Sequence, residues 1–177
     1  MGHNHNDGHN SKLPMLIQPN IGLDSDARHS VVEILNISLS NEAVLTLKTR
    51  NAHWNAGGAS FFELHTLFDS QYEQLNDIAD EIAERARMLG GLPIGSFEGF
   101  LKNTRLVELP EDVPDIMDLL ADHEAAIRFL REDAKKCSEE YEDEGTRNFL
   151  VKILCLHEKM AWMLRSHIEP PLADDER

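Results

Sequence analysis

Four side chains along one stretch, His65, Asp69, Asp80 and Glu84, are of the types that bind transition metals. They fall into two pairs, His65 with Asp69 and Asp80 with Glu84, each at the i, i+4 spacing that brings side chains together on one helix. With His65 as reference and 100° per residue, Asp69 falls at roughly 40°, Asp80 at roughly 60° and Glu84 at roughly 100°. All four share a face. Phe61, Leu64, Leu67, Phe68, Tyr72, Leu75, Ile78, Ile82 and Leu89 form an apolar stripe centred at roughly 270°. The polar residues lie beside that stripe, not within it. Any one of them alone would read as an ordinary charge on a solvated helix face. The paired spacing is what points to a ligand set.

The rise along the helix divides the four into two half-sites. At 1.5 Å per residue His65 and Glu84 stand about 28 Å apart, and Asp69 and Asp80 about 16 Å, too far for one ion. The half-sites are nearly symmetric about Gln74 and Leu75. Two copies of the helix packed antiparallel about a two-fold axis there would set His65 and Asp69 of one subunit against Asp80 and Glu84 of the other. The symmetry would make two such sites per dimer. The donors are nitrogen and oxygen without thiolate, which suits Fe(II), Mn(II) or Zn(II) better than Cu(I). With His53, two histidines and three carboxylates are enough for a pair of ions. Carboxylate oxygens are hard donors that favour Fe(III) over Fe(II), so such a site would assist iron oxidation. His53 also fits a partly buried core position, because it points the same way on its helix as Leu35.

These positions need a long helix, and the flanking sequence predicts its ends. Ser60 and Glu63 in SFFE predict a capping box at the start. Gly90, Gly91 and Pro93 predict the stop. Upstream, Asp24, Ser25 and Asp26 are candidate caps for a first helix running to Asn55 and stopping at Gly57 and Gly58. Its apolar residues, Val31, Ile34, Leu35, Ile37, Leu39, Val44 and Leu45, spread around much of its circumference, which predicts burial on more than one side. A connection from about Leu92 to Pro114 holds SFEGFLKN, a candidate short helix. A third long helix is expected from Pro114, with Asp112 as its cap, to about Tyr141. A fourth is expected from about Thr146 to Ile168, stopped by Pro170 and Pro171. Trp162 falls in an apolar pattern there and is expected in the core. No strand pattern or internal repeat is visible. Short first and third links with a long middle connection predict an all-α, ferritin-like four-helix bundle with a short helix in the crossover. Di-iron four-helix bundles place Glu-x-x-His pairs toward their interior. No Glu of this chain is followed by His three residues on, which favours a site between subunits.

The chain has 177 residues, 41% hydrophobic and 28% charged, with a net charge of −15. That suggests one domain over residues 23–169, a flexible His- and Asn-rich tail over 1–22 and a short acidic tail over 170–177. The charge argues against binding nucleic acid, since phosphate contacts need clustered Lys and Arg. It fits a protein that attracts cations. His3, His5 and His9 suit loose transition-metal binding, and equally a solvated or tag-derived tail. No apolar run is long enough to span a bilayer, and the N-terminus lacks the apolar segment of a secretory signal. Cys137 and Cys155 are far apart and form no CxxC, which fits a reducing compartment. The expected location is the cytoplasm.

The segments KTRNAHWNAGG, FFELHTLFD, DIADEIAERARMLGG and HEKMAWMLRSHIE resemble Dps, the miniature ferritins known as DNA-binding proteins of starved bacterial cells. The resemblance spans about Asp26 to Glu169, and the order His53, His65, Asp69, Asp80, Glu84 matches the family pattern at every position. It implies a ferroxidase centre across the dimer two-fold axis, with His53, His65 and Asp69 from one subunit and Asp80 and Glu84 from its neighbour. It further implies iron as the ion handled, hydrogen peroxide as the preferred oxidant and a homo-oligomer of twelve subunits enclosing a hollow shell. Trp54 resembles the tryptophan placed to intercept stray oxidising equivalents, and reads equally well as a packing anchor. YEDEGTRN resembles the turn that lines acidic iron-entry pores through Glu142, Asp143 and Glu144, with Arg147 weakening the potential. An acidic solvated turn is the alternative. Members that condense DNA carry Lys-rich tails. Here Lys12 is the only Lys or Arg before Gly22 and the C-terminus PPLADDER is acidic, which counts against DNA binding.

Overall fold

The computed structural model describes residues 18–170. The segment with His3, His5 and His9, and the acidic segment from 171 onward, lie outside the described residues. Among those described there are five helices and no strand: α1 (Ser25–Asn55), α2 (Phe61–Met88), α3 (Phe97–Asn103), α4 (Ile116–Glu139) and α5 (Glu144–Ile168). This is the all-α, ferritin-like bundle that the element order predicts, with α3 as the short helix of the crossover.

Asp24 starts α1, its Oδ1 accepting from the amides of Asp26 and Ala27 at 2.8 and 2.9 Å. Because its apolar residues ring the helix, α1 is buried on several sides, and Val31, Leu35 and Leu45 are fully enclosed. Its buried amides fasten the crossover. Asn36 donates to the Leu92 carbonyl at 3.0 Å and accepts from the Ile94 amide at 2.8 Å. Asn41 Oδ1 accepts from the Arg105 amide at 2.7 Å. Asn suits both places because one amide side chain offers donors and an acceptor together.

Three helix starts differ from expectation. Ser60 is the N-cap of α2 but makes no side-chain cap. Its ψ of 21° is far from the extended conformation that aims a capping hydroxyl at the first turn, so the SFFE box does not form. The cap of α4 is Asp115, in a reciprocal box with Asp118, so neither Asp112 nor Pro114 opens that helix. Asp143 caps α5, which therefore begins at Glu144 and not at Thr146. The α2 stop is as expected. Gly90 adopts φ 85°, a left-handed turn open to glycine, and the Gly91 amide closes onto the Ala86 carbonyl at 3.0 Å. A Cβ added at Gly91 would sit 2.4 Å from Val32 Cγ1, so glycine there lets the hairpin of α1 and α2 close.

The core is shared by the four long helices. Leu35, Leu45, Leu75, Ile82, Leu119, Leu150, Ile153 and Leu164 are all fully buried, each contributing roughly 1.5–3 kcal/mol by leaving water. Trp162 is not among them, being 60% exposed. At 100° per residue it lies roughly 180° from Ile153, so the buried stripe of α5 excludes it. Phe61, placed above in the apolar stripe of α2, is also exposed, together with Phe62.

One polar chain crosses the interior. Glu42 of α1, His157 of α5 and His123 of α4 are all buried. His157 Nε2 lies 3.1 Å from Glu42 Oε1, and its Nδ1 lies 2.9 Å from His123 Nδ1. With Glu42 ionised, His157 donates from Nε2 and accepts at Nδ1 from His123. Burial pushes the His123 pKa well below its usual 6.5, and neighbouring His157 adds to the effect.

Candidate metal centre

The C-terminal turn of α1 and the N-terminal turns of α2 bring His53, His65 and Asp69 together. The two imidazoles stack with centroids 3.8 Å apart. His53 Nδ1 lies 2.9 Å from the His65 carbonyl, and His65 Nδ1 lies 3.1 Å from the His53 carbonyl. A carbonyl can only accept, so each Nδ1 carries the proton and donates. Each neutral ring then presents an unprotonated Nε2, the form that binds metals. Orientation by a backbone carbonyl is the usual outer support of a metal-binding histidine. The His53 side chain is 12% exposed and its Nδ1 is satisfied, as either a ligand or a partly buried core histidine would be.

Asp69 stands beside the pair, with Oδ1 3.9 Å from His53 Nε2 and the side chain 45% exposed. Tyr72 donates its hydroxyl to Asp69 Oδ1 at 2.6 Å. That donation, with lesser help from burial and the Asp69 charge, raises the phenol above its ordinary pKa of 10.0. The Arg50 guanidinium lies 4.8 Å from the Tyr72 ring centroid. Sequence patterning assigned Tyr72 to the apolar stripe and passed over Arg50. The available signal was spacing, since Tyr72 follows Asp69, and His53 follows Arg50, by three residues in each case.

Asp80 and Glu84 are exposed on α2, and neither makes a side-chain hydrogen bond or ion pair among the described residues. Their neighbours are engaged on the other side of the helix. Glu81 pairs with Lys152 at 2.8 Å, and Arg85 reaches Thr146 Oγ1 at 3.0 Å and Asp143 at 3.4 Å. Thus α5 covers one flank of α2 and leaves Asp80 and Glu84 outward. Among the described residues no three His, Cys, Asp or Glu side chains of one chain converge on a common point.

The remaining expectations divide. Trp54 is 65% exposed and lines a groove with Leu47, Val107, Leu109 and Val113, so it anchors no packing among the described residues. Asp143 is no solvated pore residue. It is 3% exposed, caps α5 through the Thr146 amide at 2.8 Å and pairs with Arg85. Glu142 and Glu144 are exposed. Both cysteines are free thiols, Cys137 buried and Cys155 exposed, and burial pushes the Cys137 pKa up to about 12.

Comparison with known proteins places the chain in a family. Residues 32–170 match the ferritin-like domain family. A low temperature-induced protein of Nostoc sp. strain PCC 7120 is 44% identical over 154 residues, spanning 85% of this chain and 86% of its own length. A DNA protection during starvation protein of Agrobacterium fabrum is 33% identical over 150 residues, spanning 83% of this chain and 93% of its own. The DPS protein of Vibrio cholerae O1, whose structure is assigned to a broad superfamily of ferritin-like diiron-carboxylate proteins, is 31% identical. It aligns with a TM-score of 0.79 over 86% of this chain and 97% of that one.

Proposed function

The chain belongs to the Dps group of the ferritin-like family, and from that premise we propose that it oxidises Fe(II) at sites shared between two subunits and stores the Fe(III) product. Membership supports a general role in iron storage and protection of DNA. The finer reading rests on one observation, the reciprocal clamp that engages Nδ1 of both His53 and His65 and leaves His53 Nε2 facing Asp69.

In this reading Asp80 and Glu84 of a neighbouring copy complete the ligand set, giving two imidazoles and three carboxylates per site. Fe(II) is the substrate, and Zn(II) or Mn(II) would compete for the same donors. Two Fe(II) each give one electron to hydrogen peroxide. The O–O bond breaks, two protons enter from solvent and two waters leave, so no hydroxyl radical is released. Trp54, beside His53 and exposed, is placed to quench a stray one-electron oxidant. A shell of twelve chains would carry 12 × −15 = −180 formal charges, which draws Fe(II) inward and favours mineral nucleation. The proposed setting is the cytoplasm.

The test is anaerobic Fe(II) titration followed by peroxide addition, on protein whose mass has been measured by light scattering. The expected result is a dodecamer that oxidises two Fe(II) per peroxide consumed. A one-to-one ratio with radical release, or oxidation no faster than in buffer, would overturn the reading. The name of the relatives refers to DNA protection, but the net charge of −15 ranks DNA compaction second. Retardation of plasmid DNA at low salt would reverse that order.

A further inference from the structure

Tyr72 lies one turn beyond Asp69 on α2, and its hydroxyl donates to Asp69 Oδ1 at 2.6 Å. Two contacts from α1 hold its ring. The Arg50 guanidinium stands 4.8 Å from the centroid, and the His53 ring meets it edge-on at 5.4 Å. Tyr72 thus ties a carboxylate to the imidazole beside it. A carboxylate 45% exposed ordinarily samples several rotamers. A short hydrogen bond to a charged acceptor selects one.

The selected orientation has a consequence for ions. His53 Nε2 and Asp69 Oδ1 are 3.9 Å apart, too far for a hydrogen bond between them. Two donors on one tetrahedral ion stand about 3.4 Å apart, so a closure of about 0.5 Å brings the gap to the size such an ion spans. Oδ1 keeps a second acceptor site after taking the phenol proton donor, and Oδ2 keeps both of its own.

We propose that Tyr72 is a positioning residue for metal capture, whose hydroxyl holds Asp69 facing His53 within about 0.5 Å of ion-spanning distance. The proposal rests on the reading of His53, His65 and Asp69 as half of an iron site. Tyr72 itself is neither ligand nor catalytic residue, and Arg50 acts one step further back by fixing the ring.

Co(II) serves as the probe, because its visible absorption reports coordination as well as occupancy. The assembled full-length protein is compared with its Tyr72→Phe, Tyr72→Leu and Asp69→Ala variants. Tyr72→Phe removes only the hydroxyl and keeps the ring against Arg50 and His53. It is expected to weaken Co(II) binding about 10-fold or more, within the range for outer-shell partners of a metal site. The Co(II) spectrum should change, with thermal midpoint and mass unaltered. Tyr72→Leu should bind no better than Tyr72→Phe. A Tyr72→Phe protein that binds Co(II) with the unmodified affinity and spectrum overturns the proposal, including the case in which only Tyr72→Leu is impaired, since ring packing would then be the whole role. Asp69→Ala separates the two levels. If it too binds Co(II) unchanged, the site reading fails; if it loses binding while Tyr72→Phe does not, only the role of Tyr72 fails.

Discussion

His53 and His65 orient each other through the main chain, each ring donating from Nδ1 to the other residue's carbonyl, at 2.9 and 3.1 Å. The two residues come from different helices, so the pair also closes the turn between α1 and α2. Neither imidazole has its orientation alone.

Removing one ring leaves the other its main-chain acceptor but takes away the ring stacked on it. His53→Ala is expected to cost nearly as much Co(II) or Fe(II) affinity as the double variant with His65→Ala, because the remaining ring loses its stacking partner. Calorimetric titration of the two single variants and the double measures this as a coupling, expected in the range of about 0.5–3 kcal/mol for residues in contact. Strict additivity would mean that the rings act independently and that their stacking has no role in binding.

The proposed split site predicts complementation between two inactive proteins. One variant carries His65→Ala with Asp69→Ala, the other Asp80→Ala with Glu84→Ala. Each alone should assemble and fail to oxidise Fe(II) with peroxide. In a mixed pair one site loses both half-sites and the other keeps both. Coexpression in equal amounts makes about half of the pairs mixed, so about a quarter of the unmodified rate is expected to return. No recovery, with mixed pairs demonstrated by mass, would place the ligands within single chains.

Acid sensitivity should trace in part to His123. Its folded pKa is held well below 6.5 by burial and by His157, whereas in the unfolded chain it titrates near about 6.5. As pH falls below about 6.5, the unfolded chain takes up a proton that the folded chain refuses. Stability then falls by about 1.4 kcal/mol per pH unit for this one group, until the depressed folded value is reached. His123→Leu should flatten the melting temperature against pH between 7 and 5, whatever the baseline shift from the lost partner of His157. An unchanged slope would show that His123 does not titrate differently in the two states.

Much of this was legible because it is written locally. Asp24, Asn55, Gly90 and Pro170 mark helix ends through chemistry that acts within a few residues. The paired spacings of His65, Asp69, Asp80 and Glu84 follow from helical rise alone. What stayed hidden depends on partners distant in sequence. Asp143 looks like one more charge in an acidic turn; its cap on Thr146 is local, but its pairing with Arg85, 58 positions earlier, is not signalled by anything near it. Glu42 and His157 are 115 positions apart, and nothing near either signals that they meet. Tyr72 was misread for a different reason. An apolar ring with a polar tip satisfies two patterns at once, and periodicity records only the ring. Trp162 shows the reverse error, an apolar residue among others whose bearing places it opposite the buried stripe.

Asn36 and Gly91 fasten the far end of the α1–α2 hairpin, and the two histidines fasten the near one. A rod of 28 residues pinned at both ends cannot slide or buckle, so every folded copy keeps its two half-sites apart. If the chemistry needs both, as proposed, it becomes a property of concentration: diluting the chains until copies separate is expected to stop turnover. One gene also writes both walls of such a cleft, so any substitution on this face is felt twice in each pair.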